Sequence, residues 1–336
     1  MKFRNFLILF VVLAFSACIK DDEPKFSNSA QGNFDALWHI IDTRYCFLDS
    51  KKINWDSIYV VYNQQLANVK NVYQLFDLCG AMLAELKDGH VNLTSEFDVS
   101  RYWNWYTDYP DNFNSKILFF EKYLGNNYRI AGGFRYKTIA DGQIGYIYYG
   151  SFANGFSRAN FGSILDQFKD CKAMIIDVRN NGGGTLTYSE VLASYFFEKE
   201  ETTGYICHKT GDGHSDFSPL EPIITPANIV WKKPIAVLTN RMSFSATNDF
   251  VNRMKNAPNA VVIGDKTGGG GGLPFSSELP IGWSIRFSAS PMFDKQKQST
   301  ENGIEPDIKV DMDTLDTKND LIIDTAVAVL LSAAPQ

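Results

Sequence analysis

The sequence predicts an α/β protein in which a helical N-terminal region precedes a core of alternating strands and helices. From Ile144 onward, short apolar runs alternate with amphipathic segments, the pattern of a sheet whose two faces are covered by helices. Upstream, apolar residues recur at helical spacing. The chain has 336 residues, 45% apolar and 14% aromatic, enough to enclose a large core as one big domain or two.

The first segment, MKFRNFLILFVVLAFSAC, places Lys2 and Arg4 before an apolar stretch from Phe6 to Phe15, then Ser16, Ala17 and Cys18. That stretch falls short of the roughly 20 residues a bilayer span needs, so it reads as a secretory signal. Small residues before a cysteine resemble the lipobox of bacterial lipoproteins, which implies a lipidated Cys18; an ordinary cleaved signal with an incidental cysteine is the other reading. The following IKDDEP resembles the acidic export tag of surface lipoproteins in the Bacteroidetes group, and a solvated tether explains it equally. Cys46, Cys79, Cys171 and Cys207 show no metal-ligand spacing and are expected mostly as buried thiols. A net charge of −6 without a basic run gives no support for nucleic-acid binding.

Phe34, Leu37, Trp38 and Ile41 mark one helix, and Val72, Leu75, Phe76, Cys79, Leu83 and Leu86 mark another, with Asn71 placed to cap it. Residues 97–143 read as β-structure and loops. IGYIYYGSF is a strand, Phe161, Ile164, Leu165 and Phe168 form a helix face, and Ala173–Val178 is a buried strand. TYSEVLASYFFE is helical, PIAVLTN a strand, SATNDFVNRMKN a helix, and AVVIG a further strand. GGGGGLPF, from Gly268, fits either a mobile rim or a turn.

Reactive groups in such folds collect beyond the carboxyl ends of strands. Two points there stand out. IIDVRNNGGG lets backbone amides approach a ligand, although it carries no phosphate-binding signature. Ser245 follows PIAVLTN and opens a helix, so it is either a cap or a nucleophile. In LKDGHVNL, His90 starts an extended segment where it would be held on rigid backbone. A base, a late acidic residue and the NNGGG turn would complete serine chemistry around Ser245. The residues imply no metal and no cofactor.

The order DGHV, IGYIYYGSF, IIDVRNNGGG, VLTNRMSFSATNDF and ENGIEPDI resembles the C-terminal-processing and tricorn-type serine peptidase family from about Phe34 to Asp311. The resemblance implies a ClpP/crotonase-like ββα spiral core behind an N-terminal helical cap. It divides the chain into a signal (1–17), a tether (18–30), a helical domain (31–95) and an α/β catalytic domain (96–336). The processing branch places a lysine base where this chain has Gly270, whereas the tricorn-like branch uses a histidine that His90 matches. The resemblance then implies Ser245 as nucleophile, His90 as base and Glu301, with Glu305 as competitor, as the completing carboxylate. Ala246 and Gly183, or else Gly182, would supply the oxyanion hole.

Two features depart from the family pattern. Asn248 stands where many relatives carry Glu, and the interval between Val91 and Gln143 is too short for a PDZ domain. The function implied is an envelope-anchored serine endopeptidase acting on a peptide or protein and held at a lipid membrane through Cys18. A catalytically silent peptide- or lipid-binding protein is the alternative, since the family includes retinoid-binding members, and an esterase or amidase would use the same triad.

Overall fold

The computed structural model describes residues 24–228, 231–313 and 315–333; the signal segment and Cys18 lie outside them. Ser29 caps α1 (Ala30–Arg44), accepting from the Gly32 N–H at 3.1 Å, and the helix buries Phe34, Leu37 and Ile41. α2 (Trp55–Leu66) was not expected. It buries only Trp55 and Leu66 and exposes Val60 and Val61, so no apolar stripe announces it. α3 (Val72–Ala84) starts at Asn71, which accepts from the Gln74 N–H at 3.0 Å as its cap. The helix stops at Ala84, and Leu86 is buried in the turn beyond.

After β1 (Asn92–Thr94) come a helical turn, α4 (Asn104–Thr107), and a π-helical turn over Ile117–Glu121. β2 (Arg129–Ala131) and β3 (Phe134–Ile139) follow. The β-structure expected over 97–143 is therefore confined to its second half; the helical turns before it are too short to write a period. The core continues with β4 (Ile144–Tyr149), α5 (Arg158–Gln167), β5 (Ala173–Asp177) and α6 (Leu186–Ser194). Next are β6 (Glu201–Ile206), β7 (Glu221–Thr225), β8 (Ile235–Thr239), α7 (Ala246–Met254) and β9 (Ala260–Gly264). β10 (Gly272–Glu278), β11 (Ser284–Asp294), β12 (Ile308–Lys309) and α8 (Leu321–Ala333) close the chain.

The large sheet runs β12-β9-β8-β5-β4-β3-β2, parallel from β12 to β4 and antiparallel at β3 and β2. Every residue of β4, β5 and β8 is buried, because helices cover both faces. Tyr149, Ile176 and Val237 pack with Phe161, Leu192 and Phe250 on one face. Tyr146, Ile175 and Leu238 pack with Ile322, Ile323 and Leu330 of α8 on the other. Each such aliphatic or aromatic side chain contributes about 1.5–3 kcal/mol on leaving water.

The second sheet is built on β11, which pairs with β1 and β10 along its first part and with β6 at its end, β6 in turn pairing with β7. Trp283, Ile285 and Phe287 share a core with Phe34, Leu37, Phe76 and Leu83 of the N-terminal helices. GGGGGLPF is thus the entry to a paired strand, β10. The four cysteines among the described residues, Cys46, Cys79, Cys171 and Cys207, are buried free thiols. Among the described residues no helix is long and apolar enough to cross a membrane.

Candidate active site

Ser245 lies past the carboxyl end of β8 at φ 60° and ψ −119°, a conformation that costs a non-glycine residue free energy unless its surroundings enforce it. They do. Its N–H donates to Gly269 O at 2.9 Å, the Phe244 N–H donates to Asn181 O at 3.1 Å, and the Ser243 hydroxyl donates to Val178 O at 2.9 Å. The elbow is therefore pinned between the glycine turn after β5 and the glycine run before β10. Ser245 occupies the N-cap position of α7, yet its side chain makes no capping bond. The Oγ instead lies 2.9 Å from His90 Nε2.

His90 is fixed from its own backbone, its N–H donating to Asp88 Oδ1 at 2.8 Å. Asp88 is fixed in turn, since its Oδ2 accepts from the Tyr45 hydroxyl at 3.0 Å and the Ser288 hydroxyl at 2.9 Å. The imidazole leans on Phe244, ring centroids 4.7 Å apart, and Phe244 stacks on Trp105 at 4.3 Å. Burial pushes the His90 pKa down to about 4 against the pull of Asp88, so at neutral pH the ring is uncharged and able to accept a proton. A Cβ at Gly270, φ +74°, would sit 2.5 Å from the Phe244 ring and 3.0 Å from His90 Cε1. Where the processing branch has its lysine, this chain has left room for the histidine.

Glu301 is buried beside this group, but its Oε1 is held by Lys51 Nζ at 2.8 Å. Among the described residues its Oε2 has no hydrogen-bond partner, and neither has His90 Nδ1. Burial first, then the Asp88 charge, push the Glu301 pKa up to about 8 while Lys51 pulls it down. Burial works against Asp88 too, but Lys51, His90 and the hydroxyl of Ser288 hold it below its usual range. Glu305 is elsewhere, exposed and paired with Lys266 at 2.9 Å.

Gly183, φ +95°, packs so closely that a Cβ there would sit 2.8 Å from Ser245 Cβ and 2.9 Å from Ala246 N. Its own N–H donates to Asn181 Oδ1 at 3.0 Å. The Ala246 and Gly182 N–H groups have no hydrogen-bond partner among the described residues. Arg179 steadies the turn from below: it contacts Asp177 at 2.6 Å and Asp320 at 2.8 Å with its side chain fully buried. Asn248 is occupied structurally. Its amide donates to Thr300 O at 3.0 Å and accepts from the Thr267 hydroxyl at 2.6 Å, which ties α7 to the segment carrying Glu301.

A cavity of about 430 Å³ adjoins the site, walled by Gly89, Trp105, Tyr109, Arg241, Phe244 and Gly270 among others. The residues that sequence reasoning missed are Lys51, Trp105 and the structural roles of Asp88, Asn181 and Arg179. Asp88 and Asn181 stood inside quoted motifs, while Lys51 and Trp105 carry no local signal.

Comparison with known proteins agrees with this geometry. The profile of peptidase family S41 matches residues 143–310, and that of the tricorn protease C1 domain matches residues 26–84. A solved candidate peptidase from Parabacteroides merdae ATCC 43184 is 50% identical, covering 92% of this chain and 100% of that one at a TM-score of 0.87. Mature CPAF shares the fold at 14% identity and a TM-score of 0.68, over 89% of this chain and 96% of its own. The carboxy-terminal processing protease CtpB of Bacillus subtilis is 26% identical over 52% of this chain and 35% of its own length. The chain thus spans about a third of the curated relatives it matches. The ClpP/crotonase-like core expected from the motifs is the fold of these neighbours. The chain belongs to peptidase family S41, a family of serine-type peptidases.

Proposed function

We propose that this chain is a serine endopeptidase in which Ser245 attacks the scissile carbonyl carbon and His90 Nε2 takes the hydroxyl proton. The observation that carries the reading is the 2.9 Å contact between Ser245 Oγ and His90 Nε2, made by a serine that occupies a cap position without capping. The acyl-enzyme forms as the C–N bond breaks and His90 passes the proton to the departing amine; water then releases the acyl group along the reverse proton path. Glu301 completes the relay: its unpartnered Oε2 and the unpartnered His90 Nδ1 are the two free positions in an otherwise bonded cluster. The oxyanion is held by the Ala246 N–H and by the glycine turn, where Gly183 lies against the nucleophile and Gly182 has the uncommitted N–H. Each donor is worth about 3 kcal/mol of transition-state stabilisation.

The satisfied amide of Asn248 supports an intact site, since the residue is tied to the Glu301 segment. Anchoring at the bacterial envelope through lipidated Cys18 is part of the proposal and rests on the signal and lipobox pattern. A fluorophosphonate probe is expected to label the wild-type protein, not Ser245→Ala, and only weakly His90→Ala. Equal labelling of all three sinks the reading.

A further inference from the structure

We propose that Lys51 is a positioning residue of the catalytic relay, its ammonium tying Glu301 to the segment that carries His90. The inference rests on the serine-peptidase reading of the site. Lys51 follows α1 in the chain, 250 residues from Glu301, and meets it at 2.8 Å. The same Nζ lies 3.8 Å from Asp88 Oδ2 and donates to the carbonyls of Leu86 at 3.3 Å and Lys87 at 3.4 Å. It also sits over the ring of Phe47 at 5.4 Å. Only 14% of the side chain is exposed. One ammonium thus touches both the turn that delivers His90 and the residue proposed to orient it.

The charge count explains what Lys51 does. Asp88 and Glu301 are two carboxylates in one buried cluster, and both cannot remain ionised there without a cation. Lys51 offsets one of the two charges and draws Glu301 down against burial and Asp88, to about 8, so that its ionised form, the one able to compensate an imidazolium at His90, comes within reach of neutral pH. Without it, Glu301 holds its proton to still higher pH, and the ionised neighbour is Asp88, which bonds the backbone of His90 rather than its ring. Lys51 bonds only Oε1 of Glu301. The other titratable groups of the cluster are Tyr45 and Cys46 after α1, which feel Asp88 and Glu301, and His90 before β1 and Arg286 on β11, which feel Asp88. Burial raises Tyr45 and Cys46, which stay neutral.

The test is the pH dependence of Ser245 labelling by fluorophosphonate, followed with peptide turnover, in wild type, Lys51→Met, Lys51→Arg, Glu301→Gln and the double variant Lys51→Met/Glu301→Gln. Lys51→Met is expected to label at least about tenfold more slowly at pH 7, with KM little changed, and to need a pH higher by about one unit for half its maximal rate. Lys51→Arg restores most of the rate because it keeps the charge. The double variant, whose one remaining carboxylate in the cluster, Asp88, keeps its bonds to Tyr45, Ser288 and the His90 N–H, is expected to fold even if Lys51→Met does not, and to be no slower than Glu301→Gln. A Lys51→Met profile parallel to wild type, an arginine variant no better than the methionine one, or additive losses in the double variant would each overturn the proposal. A wild type whose Ser245 is inert overturns the peptidase reading instead.

Discussion

Arg179 and Lys51 each meet two carboxylates in the interior, and the two clusters are completed differently. Around Arg179, Asp177 also accepts from the Tyr146 hydroxyl at 2.6 Å and from the Arg179 N–H at 3.0 Å. Asp320 accepts from the N–H groups of Ile322 and Ile323 at the start of α8. The cluster fastens β4, β5 and α8, and its Asp320 Oδ2, held as an ion pair 2.8 Å from Arg179 Nη1, has no hydrogen-bond partner among the described residues. Around Lys51 the same charge count leaves Glu301 Oε2 and His90 Nδ1 without partners among the described residues, and the imidazole meets Ser245 through its other nitrogen. Leaving polar atoms unpartnered in the interior costs stability. What separates the clusters is therefore the serine: the first holds a strand end still, and the second reaches Ser245 through His90.

Substitutions should separate the two. The largest effect is expected from His90→Ala, with peptide turnover falling at least about a thousandfold while the urea midpoint moves little. A comparable loss of stability would merge the two clusters in role. Arg179→Met should do the opposite, lowering the unfolding free energy by about 3–5 kcal/mol because it strands two buried carboxylates. Urea denaturation measures this, and residual turnover per folded molecule should stay substantial.

The acid side of the stability profile sharpens the contrast. His90 titrates near 4 in the fold against 6.5 in the unfolded chain, so the unfolded state binds the proton first. Stability should fall as pH drops from about 6.5 toward 4, by about 1–3 kcal/mol. Glu301, raised to about 8, gives the opposite slope: its contribution is present below the unfolded carboxylate range and is lost as pH rises through 8. His90→Gln should flatten the first slope and Glu301→Gln the second in urea titrations at stepped pH. Effects of similar size are expected from the two tyrosines. Tyr146→Phe should cost about 1.5–3 kcal/mol of stability, as a charged acceptor loses its donor. Tyr45→Phe should cost a similar amount and also shift the pH profile of Ser245 labelling; an unshifted profile would mean Asp88 is uncoupled from the relay.

How much of this could be read beforehand varies with the range of the interaction. α1 and α3 were legible because Phe34, Leu37 and Ile41, and Leu75, Phe76 and Cys79, fall on one face at helical spacing. α2 was not, because its buried residues sit only at its ends. The site motifs were visible as short strings, yet their meaning was open: Ser245 is where a cap belongs, and only its missing capping bond and its contact with His90 decide against one. Glu301 and Glu305 differ by a single helical turn in number, and burial separates them, one in the interior and the other paired with Lys266 at the surface.

The sequence by itself determined the alternation of buried strands and helices, the caps at Asn71 and the glycine positions that allow close approach at the elbow. Those depend on local periodicity, backbone dihedrals and hydrogen bonds spanning a few residues. Only the tertiary structure decided that Lys51 meets Glu301, that Asp88 grips the backbone of His90, and that Gly270 clears a place for an imidazole. These are contacts between residues brought together by burial and charge compensation, and an ammonium chooses its carboxylates by distance in space, for which the order of the chain leaves no mark.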